Sequence, residues 1–288
     1  MLWSKTLGFG AVLVAVGCIS SPVWAYPSSV VFAPTGEAKG FGETLAYAYT
    51  SVMLSPELSG QTGASWSGVN FGVLPKVPYG KSGVSFGGLE VGVDWLFFSG
   101  GKGKTVFNGK LQLVTETTFT PHVAVGFSQW SAFQPSLSLN MGYVSLTKTL
   151  RFGEHNFGAV TAGMEYNFTD DPRVSGGGSW PFRDEKYGLL LGYLSPEFGP
   201  ISVGIDHVAG YNELASTYFA VNLQVLPGSY ITFGGFMQNN RRDQDRPLYD
   251  GAFFFYSMSF NTLKLVGLQK DPPPPLPTAA PAPAPTPH

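Results

Sequence analysis

Four charged residues near the middle of the chain, Glu90, Asp94, Lys110 and Glu116, have the types and spacing to do chemistry together. Acids four residues apart on an extended chain share one face, and a lysine on a neighbouring strand would pair with them or bias which ions pass. A second group is Asp206-His207 followed by Asn212, Glu213 and Ser216. An acid, a base and a hydroxyl are the parts of a hydrolytic site, although no nucleophile motif surrounds Ser216. Gly100-Gly101-Lys102-Gly103-Lys104-Thr105 superficially matches a phosphate-binding loop. That motif needs glycine where Phe98 stands and a helix afterwards, so the run reads as a hairpin turn. His122, His155, His207 and His288 show no metal-ligand spacing, and the only cysteine is Cys18, so neither a metal nor a cofactor is expected.

The first group must be positioned by strands. From Gly83 to Glu116, Leu89, Val91, Val93 and Trp95 alternate with Glu90, Gly92 and Asp94, and after the glycine turn Leu111 and Leu113 alternate with Lys110 and Gln112. Period-two alternation is the mark of a strand with one apolar and one polar face. A turn centred near Gly101 would set Glu90 opposite Gln112 and Asp94 opposite Asn108, with Lys110 diagonal to both acids. The same alternation recurs at 42–53, 66–73, 122–129, 137–150, 157–168, 187–194, 201–207, 217–225, 230–237 and 252–260, about a dozen segments in all. None has helical periodicity.

Composition excludes several classes. Charged residues are 12% of the chain, about half the share usual in soluble proteins, and no apolar run of about 20 residues follows the N-terminus to make a membrane helix. Lys5, the apolar stretch from Leu7 to Ile19 and Val23-Trp24-Ala25 have the form of a secretory signal peptide over residues 1–25. Lipoprotein processing at Cys18 is the alternative. Loss of Lys5 with that leader leaves 16 basic and 19 acidic residues, a net charge of −3, so a nucleic-acid partner is not expected. Residues 269–288 are Pro/Ala-rich and are expected to be disordered, leaving 26–268 for one barrel domain. The mixed charges at 170–186 and 241–246 would solvate long loops or meet lipopolysaccharide phosphates.

The connections carry a further signal. If the first strand leaves the periplasm, the outward connections include 55–65, 169–186 and 239–250, and the inward ones include 118–121, 195–200 and 226–229. Long loops on one side and short turns on the other belong to outer-membrane barrels. Tyr47, Tyr49, Trp66, Trp95, Phe97, Phe98, Tyr143, Tyr166, Phe168, Tyr187 and Phe253 to Tyr256 would then form interfacial girdles.

Gly87 to Trp95, Asn108 to Leu113 and Pro121 to Gly126 together resemble a recurring pattern in bacterial outer-membrane β-barrel proteins of porin-like type. That resemblance implies an all-β fold, a transmembrane antiparallel barrel of about 12 strands (10–14), and a place in the cell outer membrane. It carries no catalytic residues. Outer-membrane barrels commonly end the chain on an aromatic residue, whereas here Phe260 is followed by Asn261 to Leu268 and the proline tail.

On this reading the lumen is lined by Glu90, Asp94, Asn108, Lys110, Gln112, Glu116, Asn140, Glu165, Asn167, Asp206 and Asn222. Leu89, Val91, Val93, Trp95, Leu111, Leu113, Val160, Met164, Val203, Ile205, Val221 and Leu223 face lipid. The expected role is passive: a porin-like channel for small solutes, or a structural barrel, in contact with outer-membrane lipid and lipopolysaccharide. The alternatives are a secreted or periplasmic all-β binding protein and an outer-membrane lipid hydrolase. Oligomeric state is left open, as is the choice between an open and a plugged lumen, because 12 strands fall between filled and channel-forming barrels.

Overall fold

The structure, a computed structural model, describes residues 33–53, 62–78, 85–98, 103–131, 140–168, 186–209, 216–238 and 251–265. The signal-peptide and proline-tail assignments lie outside the described residues. Twelve strands follow in order: β1 (Glu43–Met53), β2 (Thr62–Pro78), β3 (Ser85–Phe98), β4 (Gly103–Val114), β5 (His122–Trp130), β6 (Met141–Phe152), β7 (His155–Asn167), β8 (Tyr187–Leu194), β9 (Ile201–Val208), β10 (Ser216–Leu226), β11 (Ser229–Gln238) and β12 (Gly251–Asn261). Each pairs antiparallel with its neighbours in sequence, and β1 pairs with β12 from Glu43↔Asn261 to Met53↔Gly251, so the sheet closes into a barrel. Closure leaves no unpaired edge. A helical turn, α1 (Thr262–Leu265), follows β12, and the Thr262 amide donates to the Gly42 carbonyl at 2.8 Å.

The two ends of the barrel differ. The far end carries the connections 54–61, 99–102, 131–140, 168–186, 209–215 and 239–250. The near end carries 79–84, 115–121, 153–154, 195–200 and 227–228, together with the start of β1 and the end of β12. The three longest connections, 131–140, 168–186 and 239–250, are all at the far end.

Burial alternates with the opposite sense to a soluble domain. Glu90, Asp94, Lys110, Gln112, Glu165, Asn167, Asp206 and Asn222 are buried, whereas Val91, Trp95, Leu111, Val160, Met164, Val203, Ile205 and Val221 are exposed on the outer face. Leu89, Val93, Leu113 and Leu223 share that outer face and are partly covered.

Two expectations are corrected. In the β3–β4 hairpin the register is Glu90↔Lys110, Gly92↔Asn108 and Asp94↔Val106, shifted by two residues along β4. Lys110 therefore stands directly opposite Glu90, and Asn108 is the diagonal partner of Asp94. The aromatic set also divides. Tyr47, Tyr49, Phe253 and Phe255 point into the barrel rather than to a girdle, with Tyr47 stacked on Phe255 and Tyr49 on Phe253, both at 5.6 Å between ring centroids. The side chains of Trp66, Phe97 and Phe98 lie outside the description. An outer girdle does form along the far rim, where Phe127, Trp130, Phe168, Tyr166 and Tyr187 meet edge to face at 4.8–6.1 Å. At the near end Phe119, Phe152, Phe157 and Phe198 are exposed. Phe157 in β7 and Phe168 just after it are 11 residues apart, within the length a tilted strand needs to cross a bilayer.

Candidate functional site in the barrel interior

The chain before β1 runs inside the barrel. Residues 33–41 form an irregular segment, bent at Ala33 and Gly36 and turning at Phe41, whose contacts with the inner wall run in descending order from β9 to β2. The Ala33 amide donates to Asp206 Oδ2 on β9 at 2.8 Å. On β6, the Ser145 hydroxyl donates to the Thr35 carbonyl at 2.8 Å and Thr147 Oγ1 accepts the Gly36 amide at 2.8 Å. On β4, Lys110 Nζ donates to the Glu37 carbonyl at 3.1 Å and Gln112 Oε1 accepts the Ala38 amide at 3.1 Å. On β3, Glu90 Oε2 accepts the Lys39 amide at 3.1 Å, and on β2 the Gly72 carbonyl accepts the Gly42 amide at 2.9 Å.

Two glycines make this course sterically open. A Cβ on Gly36 would sit 2.4 Å from the His122 carbonyl oxygen, and one on Gly72 would sit 1.8 Å from the Gly40 carbonyl oxygen. Both obstacles are backbone, so neither yields by a rotamer change. The polar inward residues of β3, β4, β6 and β9 thus meet a third possibility beside ion pairing with one another and lining an open pore: they hold main chain.

Further contacts cross the interior. Tyr47 donates its hydroxyl to Asp94 Oδ1, and Asn108 Nδ2 donates to Asp94 Oδ2 at 2.8 Å. Asn108 Oδ1 in turn accepts the Gln129 amide at 3.0 Å and the Ser128 hydroxyl at 3.2 Å, which links β1, β3, β4 and β5. Asn222 joins β9, β10 and β11 by donating to Ser202 Oγ at 3.2 Å and accepting from Thr232 at 2.8 Å. An apolar cluster of Leu45, Tyr47, Tyr49, Leu190, Val208, Tyr218, Phe253 and Phe255 includes Ala33, so the start of the segment packs against it.

Two residues assigned to the lumen lie at the rims. Asn140, with φ of 46°, precedes β6 at the far end and accepts the Ser131 amide at 2.9 Å, closing the base of the 131–140 loop. Glu116 follows β4 at the near end. Its carboxylate accepts the Thr149 amide at 2.9 Å and the Thr149 hydroxyl at 2.8 Å, and lies 3.2 Å from Lys148 Nζ. Lys148 also donates to the carbonyls of Thr117, Thr118 and Thr120, so the 115–121 turn is tied to β6.

Burial pushes the Glu116 carboxyl up, but the Thr149 hydrogen bonds and Lys148 outweigh it and hold the group below its ordinary pKa of 4.5. A depressed carboxyl adds stability that is complete above the unfolded pKa and is lost as pH falls through the folded one. The turn should therefore loosen at acid pH, seen as faster hydrogen exchange over 115–121. Glu116→Gln should flatten that acid step; an unchanged step in the variant would place the titration elsewhere.

The hydrolytic grouping is not assembled. Asp206 and Ser216 point inward and are each 2% exposed, while His207 faces outward and bonds Thr217 Oγ1 through Nδ1 at 3.0 Å. His207 and Thr217 border an exterior groove of about 630 Å³ with Leu146, Val160, Leu191 and Ile205. Asn212 and Glu213 lie outside the described residues. Among the described residues no three His, Cys, Asp or Glu side chains are grouped to hold a metal. The 33–41 segment escaped side-chain periodicity altogether; the signal for it is a run of small residues, Gly36, Ala38, Gly40 and Gly42, immediately before the first strand.

No protein-family model matches the chain, and no curated protein matches it. Among solved structures it is similar to an outer membrane channel from Pseudomonas putida F1, with 11% identity over 78% of this chain and 97% of that one, at a TM-score of 0.37. It is also similar to the outer membrane phospholipase A from Escherichia coli, with 12% identity over 77% of this chain and 92% of that one, at a TM-score of 0.40.

Proposed function

We propose that the chain is an outer-membrane β-barrel of porin-like, passive type whose lumen is closed by its own N-terminal segment. The observation that carries this reading is the closed ring of 12 strands with an apolar outer face and a buried polar inner face occupied by residues 33–41. Closure satisfies every strand edge, as hydrocarbon requires, and the outer face meets outer-membrane lipid between the two aromatic rims. Small solutes pass only when the segment moves; if it never does, the barrel is structural. The leader over residues 1–25 would deliver it, with lipid attachment at Cys18 as the alternative route. Catalysis is not part of this reading, because Asp206 and Ser216 face away from His207.

The test is membrane fractionation with heat-modifiable migration in detergent gels. An unboiled, fast-migrating species in the outer-membrane fraction is expected, and a protein recovered soluble would overturn the barrel reading. In planar bilayers, brief current steps from a closed resting state would mark a channel, and their absence a structural barrel.

Depth dependence checks the lipid-facing assignment. Val91→Arg, at mid-strand in β3, should lower barrel stability by about 2–4 kcal/mol, while Phe119→Arg at the near rim should cost about 0–1 kcal/mol. Equal effects in a urea titration of the vesicle-embedded barrel would contradict the placement of the two positions.

A further inference from the structure

The wall groups that hold the segment share one property: they address its main chain. Amides 33, 36, 38 and 39 are accepted by Asp206, Thr147, Gln112 and Glu90, and carbonyls 35 and 37 are met by Ser145 and Lys110. All six of these wall side chains are buried. Such a wall recognises the backbone course of the segment, and side-chain identity matters where space is short and at the buried Lys39. Space is short at Ala33 and Ala38, which are 0% and 2% exposed, and at Gly36, where a Cβ would meet backbone. Hydrogen bonds of this kind are replaceable by an equivalent ligand, because any extended peptide offers the same donors and acceptors.

We propose that the inner wall from β3 to β9 is a binding site for an extended peptide, that residues 33–39 are its resident occupant, and that it accepts in trans a short peptide with small residues at the positions of Ala33, Gly36 and Ala38. This deepens the plugged-barrel reading and rests on it. The resident is tethered to β1 and so competes at an effective concentration in the millimolar range. A free peptide therefore gains the wall only when the resident is weakened and the wall is left intact.

The experiment uses the full-length chain carrying Gly36→Val, purified in detergent, and a fluorescent peptide of sequence Ala-Pro-Thr-Gly-Glu-Ala-Lys-Gly. Saturable anisotropy binding is expected, at least about tenfold tighter than to the unaltered chain. It should be lost when the peptide carries valine at its glycine-36 position. Ala38→Arg provides a second resident-weakening variant, and heat-modifiable migration reports folding of each. A folded variant that binds no peptide overturns the proposal, as does equal binding of the valine peptide. Failure of both variants to fold also overturns it, since the segment is then irreplaceable core. An unaltered chain that is soluble and not heat-modifiable instead defeats the barrel reading itself.

Discussion

Replacing both Glu90 and Asp206 by alanine is expected to release residues 33–39 from the inner wall and open the chain to trypsin after Lys39. The two carboxylates anchor the ends of the segment, Glu90 through the Lys39 amide at 3.1 Å and Asp206 through the Ala33 amide at 2.8 Å. Hydrogen bonds to charged groups contribute about 1.5–3 kcal/mol each. The anchors hold opposite ends of the segment from β3 and β9, and simple addition of the two gives about 3–6 kcal/mol. That moves the balance between seated and released segment by roughly 10²–10⁴-fold. Glu90 also accepts Asn70 Nδ2 at 3.0 Å, so part of the loss falls on the wall, and folding must be confirmed by heat-modifiable migration. The unaltered chain should resist trypsin at Lys39, which is 6% exposed. Glu90→Gln with Asp206→Asn keeps a carbonyl acceptor at each anchor and should fall between the two. If the alanine double variant stays folded and as resistant as the unaltered chain, the carboxylates do not hold the segment. In bilayers the same variant should show longer and more frequent open steps if the segment is what closes the barrel.

Much of the wall is legible in the sequence, for a simple reason. A strand with one face against an apolar phase and one face enclosed must alternate, and alternation survives in sequence as period two. That rule puts Glu90 and Asp206 on the polar faces of their strands. The rule gives two faces without saying which is inner. In β1 the large residues Leu45, Tyr47 and Tyr49 turn inward and Ala48 turns out, the reverse of the β3 pattern, because they join the apolar cluster with Phe253 and Phe255. Register was lost at the β3–β4 hairpin because a glycine-rich turn does not fix where pairing begins. The hydrolytic grouping failed by the same period that reveals strands: Asp206 and His207 are adjacent in sequence and so lie on opposite faces. The 33–41 segment was illegible because its recognition runs through backbone amides, which every residue but proline possesses.

Asp94→Ala should be the most damaging single change inside the wall, and its magnitude reports whether the interior is dry. Asp94 is 9% exposed and accepts from both Tyr47 and Asn108. Removing its carboxylate strands a hydroxyl and an amide, each costing about 1–3 kcal/mol when buried without an acceptor, so a loss of about 2–6 kcal/mol is expected. Asp94→Asn retains one oxygen and should cost clearly less. Tyr47→Phe removes one donor, and because it shares the contact, the double variant Tyr47→Phe/Asp94→Ala should be milder than the sum of the singles by about 1–2 kcal/mol. Urea unfolding from lipid vesicles, followed by tryptophan fluorescence, supplies the free energies. Strict additivity would show that Tyr47 and Asp94 are not an energetic unit. A water-filled lumen would hydrate the orphaned groups and reduce the Asp94→Ala cost below about 1 kcal/mol. A cost of several kcal/mol therefore requires that water does not reach this network, which is the condition that a seated N-terminal segment and the stacked Tyr47–Phe255 and Tyr49–Phe253 pairs impose.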